Sequence, residues 1–100
     1  MKIEKKQLVC VTLPYKFKTM TKQGKRNSTI VRWLTYAMNF NLPLANPVAE
    51  EGVQFGLRLR ESLLLYVDTL RDRHNITRSE CLTRLAIAGY RAERETEPLI

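Results

Sequence analysis

Gln54, Gly56 and Arg58 stand at alternate positions in the segment Val53-Gln-Phe-Gly-Leu-Arg-Leu59. The residues between and around them, Val53, Phe55, Leu57 and Leu59, are apolar. A period of two belongs to a strand with one buried and one exposed face. A carboxamide, a bare backbone position and a guanidinium are therefore expected on one exposed face. Arg can donate two bonds to the edge of guanine, and Gln can pair with adenine. Gly56, without a side chain, lets another molecule approach the backbone closely. A second alternation sets Val9, Val11 and Leu13 against Leu8, Cys10 and Thr12. Leu8, Cys10 and Thr12 would face outward there. None is a long donor, but Thr and Leu can contact thymine methyls. A competing reading of this face is cover by another element or by a partner protein.

Other chemistry finds no footing. There is no catalytic triad, Gly-rich phosphate loop or paired acid and base, so neither enzymatic activity nor a cofactor is expected. His74, the single histidine, falls at a predicted helix end, where a dipole contact is its simplest role. Cys10 and Cys81 form no metal-ligand cluster, and a secreted domain this small would usually need several disulfides. A reduced, cytoplasmic setting is expected. No apolar run approaches the ~18 residues that span a bilayer, so no membrane partner is expected. Leu8 to Leu13 is too short for a signal-peptide core.

The net charge of +7 points to a polyanionic partner, of which nucleic acid is the commonest. The charge is uneven. Residues 1–41 hold nine bases (Lys2, Lys5, Lys6, Lys16, Lys18, Lys22, Lys25, Arg26, Arg32) and one acid, Glu4. Residues 42–100 hold eight arginines and nine acids.

The elements that position these residues follow from periodicity and punctuation. After the Val53–Leu59 alternation, Leu63, Val67 and Leu70 form one helical stripe. Asn75 can take the left-handed conformation that ends a helix, and Ile76 follows as a buried plug. Thr77 and Glu80 form a capping box opening a second helix, with Leu82, Leu85, Ala86 and Gly89 inward. The first half repeats the plan less regularly. Pro14 suits a helix start, Phe17, Met20 and Thr21 give a short inner face, and Gly24 stops it. Asn27 or Ser28 is expected to cap the next helix, which runs to about Asn41. Trp33, Tyr36 and Phe40 are expected in its core face. Pro43, Pro47 and Gly52 mark a linker.

The order strand, helix, tight turn, helix, with Arg78-Ser79 opening the second helix, resembles the ribbon–helix–helix family of Arc, CopG and MetJ. The match covers Val53 to Leu59, Glu61 to His74 and Asn75-Ile-Thr-Arg-Ser-Glu80. Twenty residues separate Leu59 from Ser79, as in the CopG arrangement. Leu13-Pro14 and Asn27-Ser28 look like a divergent second copy, five residues shorter over the same interval. Two copies on one chain are similar to the plasmid-transfer protein TraY.

The resemblance implies a mostly α fold with a short antiparallel β-ribbon, a tandem ribbon–helix–helix pseudo-dimer. Its units would be residues 7–41 and 53–92, joined by a linker at 42–52 and followed by a frayed tail at 93–100. One such unit cannot bury its own apolar faces, so internal pairing of the two is expected. The ribbon would enter the major groove of double-stranded DNA. Gln54, Gly56, Arg58, Leu8, Cys10 and Thr12 would face bases. Lys25, Arg26, Asn27, Ser28, Thr77, Arg78 and Ser79 would meet phosphates. Because the strands differ, the expected target lacks a perfect palindrome, with hydrogen-bonded readout on one side and apolar readout on the other. The implied role is a sequence-specific repressor or regulator of plasmid, phage or bacterial type, with possible cooperative self-association on DNA. Alternatives are an accessory protein for plasmid transfer or maintenance, and an antitoxin or adaptor that holds a protein partner.

Overall fold

A computed structural model of the chain describes residues 5–21, 24–47 and 52–96. Lys2, Lys22, residues 48–51 of the expected linker and residues 97–100 of the expected tail lie outside them. Among the described residues there are four helices and one two-stranded antiparallel sheet. The order is β1 (Lys6–Pro14), α1 (Lys16–Met20), α2 (Arg26–Asn39), β2 (Gly52–Arg60), α3 (Glu61–His74) and α4 (Arg78–Thr96).

β1 and β2 pair along their whole length, from Lys6 opposite Arg60 to Pro14 opposite Gly52. Each strand has only the other as a neighbour. The alternation read from the sequence sets their faces: Val9, Val11, Leu13, Phe55, Leu57 and Leu59 are all buried. Beneath them lie Phe17 of α1, Ile30, Trp33, Leu34 and Ala37 of α2, Leu63, Leu64, Val67 and Leu70 of α3, and Cys81, Leu82, Leu85, Ala86 and Ile87 of α4. The ribbon is thus the roof of one core to which every helix contributes.

α3 and α4 follow the expected phases. Asn75 takes a left-handed conformation (φ 55°), and the Ile76 N–H donates to the Arg71 carbonyl at 3.0 Å, closing α3. Ile76 itself is half-buried against the core rather than fully enclosed. α2 ends by the same device: Asn41 is left-handed (φ 49°), and the Leu42 N–H donates to the Ala37 carbonyl at 2.9 Å. Cys81 is a core residue, and burial pushes its thiol up to about 11, so it stays protonated and donates to the Val67 carbonyl.

α1 is short, five residues against fourteen in α3, as the shorter interval implies, and Phe17 and Thr21 are buried, the Thr21 hydroxyl donating to the Phe17 carbonyl. Other expectations are corrected. Met20, expected inward, is exposed. Phe40, expected in the core, is 63 % exposed, because the helix ends there and the chain turns away at Asn41. α4 does not fray at Glu93 but runs on to Thr96, and Glu93 accepts two bonds from Arg32 of α2 at 2.7 and 3.0 Å. Nor is the described part of the linker loose. Leu42, Leu44 and Ala45 pack on the core, and Arg84 of α4 donates from Nε to the Ala45 carbonyl at 2.7 Å.

α2 and α4 approach most closely at Gly89, where a Cβ would run into the backbone carbonyl of Trp33. Backbone cannot move aside as a side-chain tip can. Gly89→Ala is therefore expected to destabilise the fold by about 1–3 kcal/mol in urea unfolding. Gly56→Ala, whose Cβ would meet only Leu8 Cδ1 at 3.7 Å, should stay within about 0.5 kcal/mol of the parent. Equal effects at both sites would contradict the α2–α4 crossing.

Candidate nucleic-acid interface

The outer face of the ribbon is built by parity. On β1 it carries Lys6, Leu8, Cys10 and Thr12; on β2, Gln54, Gly56, Arg58 and Arg60. All are exposed except Thr12, which is half-buried. Across the strands Lys6 faces Arg60, Leu8 faces Arg58, Cys10 faces Gly56 and Thr12 faces Gln54. The six sequence-predicted strand residues therefore share one surface. Lys6 and Arg60 extend it, and the same period of two, continued one step, would have included them.

The register revises the expected division of labour. Because the strands are antiparallel, Arg58 and Gln54 lie on opposite sides of the Cys10–Gly56 pair. Each half of the ribbon thus has one long hydrogen-bonding side chain, Arg58 beside Leu8 and Gln54 beside Thr12. The asymmetry is between a cationic end and a neutral polar end, not between two strands.

Gly56 is the least explained residue of this face by folding alone. Its φ is not positive, and a Cβ there would make only an ordinary contact with Leu8. Glycine inside a strand weakens it and commonly marks close approach by another molecule. Opposite Cys10, it leaves the middle of the ribbon low between bulkier ends.

The α2 start lies against this face. A groove of about 320 Å³ is lined by Gly24, Arg26, Asn27, Gln54, Phe55 and Gly56. A second, about 360 Å³, runs past Asn27 and Ser28 to Lys6, Leu8 and Arg58. The α4 start is tied to the other strand, where the Thr83 hydroxyl donates to the Thr12 carbonyl at 2.6 Å. Each strand therefore has the beginning of the other half's second helix beside it.

The two starts differ chemically. Thr77 caps α4 as expected, accepting from the Glu80 N–H at 3.1 Å. Glu80 sits 3.7 Å from Arg84. α2 begins at Arg26, earlier than expected, with Lys25 at the cap position and no side-chain cap. Gly24 (φ 88°) makes the turn, and the Ser28 and Thr29 hydroxyls both donate back to the Lys25 carbonyl. Neither Asn27 nor Ser28 caps the helix, and both are exposed. Arg26 and Arg78 are each the first residue of their helix.

Neither arginine reaches outward freely. Arg78 donates two bonds to Asp68 of α3, at 2.7 and 2.8 Å, and this pairing holds its guanidinium pKa above the usual value. Arg26 donates to Thr21 Oγ1 at 2.9 Å and to the Lys18 carbonyl at 3.1 Å, over the Phe55 ring. Both tie a second helix back to the first. Arg71 adds to the Asp68 cluster at 3.5 Å, longer than a hydrogen bond, and its Nε has no hydrogen-bond partner. Ser79 and Lys25 are exposed. Lys6, Lys25, Arg58 and Arg60 make no ion pair among the described residues. There is no acidic residue from Lys5 to Pro47 or within β2.

Among the described residues no group of His, Cys, Asp and Glu could hold a metal ion, and no helix is long and apolar enough to cross a membrane. Compared with protein-family models, with curated proteins and with solved structures, the chain has no match.

The arginines thus divide into anchored and open. Arg78→Ala is expected to lower unfolding stability by about 1 kcal/mol, a value reduced for the partial exposure of the pair. Arg58→Ala should change it by less than about 0.5 kcal/mol. The reverse order would mean that Arg58 is the structural residue.

Proposed function

We propose that this chain is a sequence-specific double-stranded DNA-binding regulator built as two fused ribbon–helix–helix units. The observation that carries the reading is the outer ribbon face: three cations with no ion pair among the described residues, one carboxamide and a side-chain-free centre, on strands without acids. A two-stranded ribbon fits the major groove, where each base pair shows a distinct pattern of donors and acceptors. Arg58 and Gln54 read base edges in opposite halves of the site. Cys10 and Gly56 let the middle of the ribbon approach the groove floor. Lys6 and Arg60 meet the backbone at one end.

The α2 start supplies the stronger phosphate anchor. Its N–H groups have no side-chain cap, no acid lies in its first turn, and Lys25, Asn27 and Ser28 are exposed around it. At the α4 start Thr77 and Ser79 remain candidates for phosphate, whereas Arg78 serves to hold Asp68. The pairing of β1 with β2 relates the two strands by an approximate two-fold, which supports this reading. It carries Val9, Val11 and Leu13 onto Phe55, Leu57 and Leu59, with Cys10 and Gly56 at its centre.

A second reading, a module that grips a protein through the same ribbon, is favoured by one observation: Leu8 is 64 % exposed in the middle of the cationic half. DNA binding separates the two. With a site selected from random duplexes, Arg58→Ala is expected to cost about 1–3 kcal/mol and relax preference at one or two base pairs. Lys25→Ala should weaken binding to every sequence and lower the salt slope by about one unit. Gly56→Val should fold normally yet bind poorly, because its side chain would prop the ribbon off the groove floor. Wild-type binding by Gly56→Val, or an equal loss on all sequences for Arg58→Ala, would contradict readout by the ribbon.

A further inference from the structure

α1 carries charge that folding does not require. Of its five residues only Phe17 is buried, edge-on to Trp33 at 5.5 Å and to Tyr90 at 5.2 Å. That one ring pins the helix. Lys16 and Lys18 are exposed, and so is Tyr15 before them. Neither lysine makes an ion pair among the described residues. We propose that α1 is a second nucleic-acid contact, which grips the phosphate backbone of duplex DNA on one flank of the ribbon's site; this rests on the reading of the ribbon as the DNA-binding face.

The topology puts α1 where such a contact is needed. It leaves the ribbon at Pro14, opposite Gly52 and just past the Thr12–Gln54 pair, the end of the outer face that has no cation. Arg26, which lines the groove beside Gln54 and Gly56, donates to Thr21 Oγ1 and to the Lys18 carbonyl. The end of α1 is thereby fixed to the edge of the ribbon. Pro14 lies four residues beyond Cys10, about 13 Å along the strand. Half the width of a major groove is only ~6 Å. With Cys10 and Gly56 over the groove centre, α1 overhangs its wall, where the phosphates lie.

The side chains suit that position. The Lys18 ammonium sits 5.9 Å from the centre of the Tyr15 ring, so cation and phenol form one surface. Lysine ammonium and tyrosine hydroxyl are both common donors to phosphate oxygens. The other end of the ribbon is different. There α3 follows Arg60 directly and opens with Glu61, an exposed acid that would repel phosphate. The added contact is therefore one-sided.

The test measures the salt-dependent affinity of the intact chain for a site selected from random duplexes. The site is flanked by one further helical turn on both sides, on either side alone, or on neither. On the doubly flanked duplex, Lys16→Gln with Lys18→Gln is expected to lower the salt slope by about two units and the affinity by at least about tenfold at roughly 0.1 M salt. Removing one flank should cost the parent chain as much and the variant nothing more; removing the other should cost neither. Lys16→Arg with Lys18→Arg should bind like the parent. Arg73→Gln with Arg91→Gln, which removes equal charge from exposed positions on α3 and α4, should stay within about twofold of it. Parent-like binding by the Gln variant, a loss that ignores the flanks, or a loss shared by both flanks would overturn the α1 contact and leave the ribbon reading standing. Unchanged duplex binding with lost binding to phosphatidylserine vesicles would give the patch to a membrane surface and overturn it too. A parent chain that binds no duplex would overturn both readings.

Discussion

Antiparallel pairing of β1 with β2 is the interaction on which the rest of the structure depends. A strand with one neighbour has an open edge, and a two-stranded ribbon alone is marginal in water. Here its inner face is completed by all four helices, which in turn have no other sheet to cover them. The register, with Cys10 opposite Gly56, decides which side chains go inward. A slip of one residue would turn Val9, Val11 and Leu13 to solvent and bury Leu8, Cys10 and Thr12. The outer face is therefore a by-product of core formation. Its residues are free to be chosen for something other than stability.

Charge is distributed accordingly. Arg26 and Arg78 each fasten a second helix to the first, Arg84 pins the chain after α2, and Arg32 joins α2 to α4. These are internal ties with identified acceptors. The cations on the ribbon and at Lys25 have no such acceptor among the described residues. The described acids, Glu61, Asp68, Asp72, Glu80, Glu93 and Glu95, all fall on α3 and α4. A polyanion would thus be drawn to the face where the ribbon and the α2 start meet.

The second half was the more legible because its signals agree. Alternation, a helical stripe, Asn75 and Thr77 each mark the same boundaries, and the burial of Leu63, Val67, Leu82 and Leu85 follows. In the first half the signals conflict. Asn27 and Ser28 look like caps, but the left-handed Gly24 turns the chain early enough for Lys25 to hold the cap position. The strand residues of the candidate site were legible from parity alone, and parity also reaches Lys6 and Arg60. What sequence could not give was pairing at a distance. Nothing local says that Arg78 is bound by Asp68, or that Arg58 stands beside Leu8 rather than beside Thr12. Those depend on helix crossing and strand register, which are tertiary properties.

The central claim is that the outer ribbon face meets double-stranded DNA. The most direct measurement is the amide NMR response of the intact chain to a duplex selected from random-sequence DNA. The account predicts that the largest changes fall on Lys6, Leu8, Cys10, Gln54, Gly56 and Arg58 and on the first turn of α2, with Leu65, Thr69 and Asp72 of α3 unmoved. Changes centred on α3, or a ribbon that stays silent while duplex binds, would contradict it.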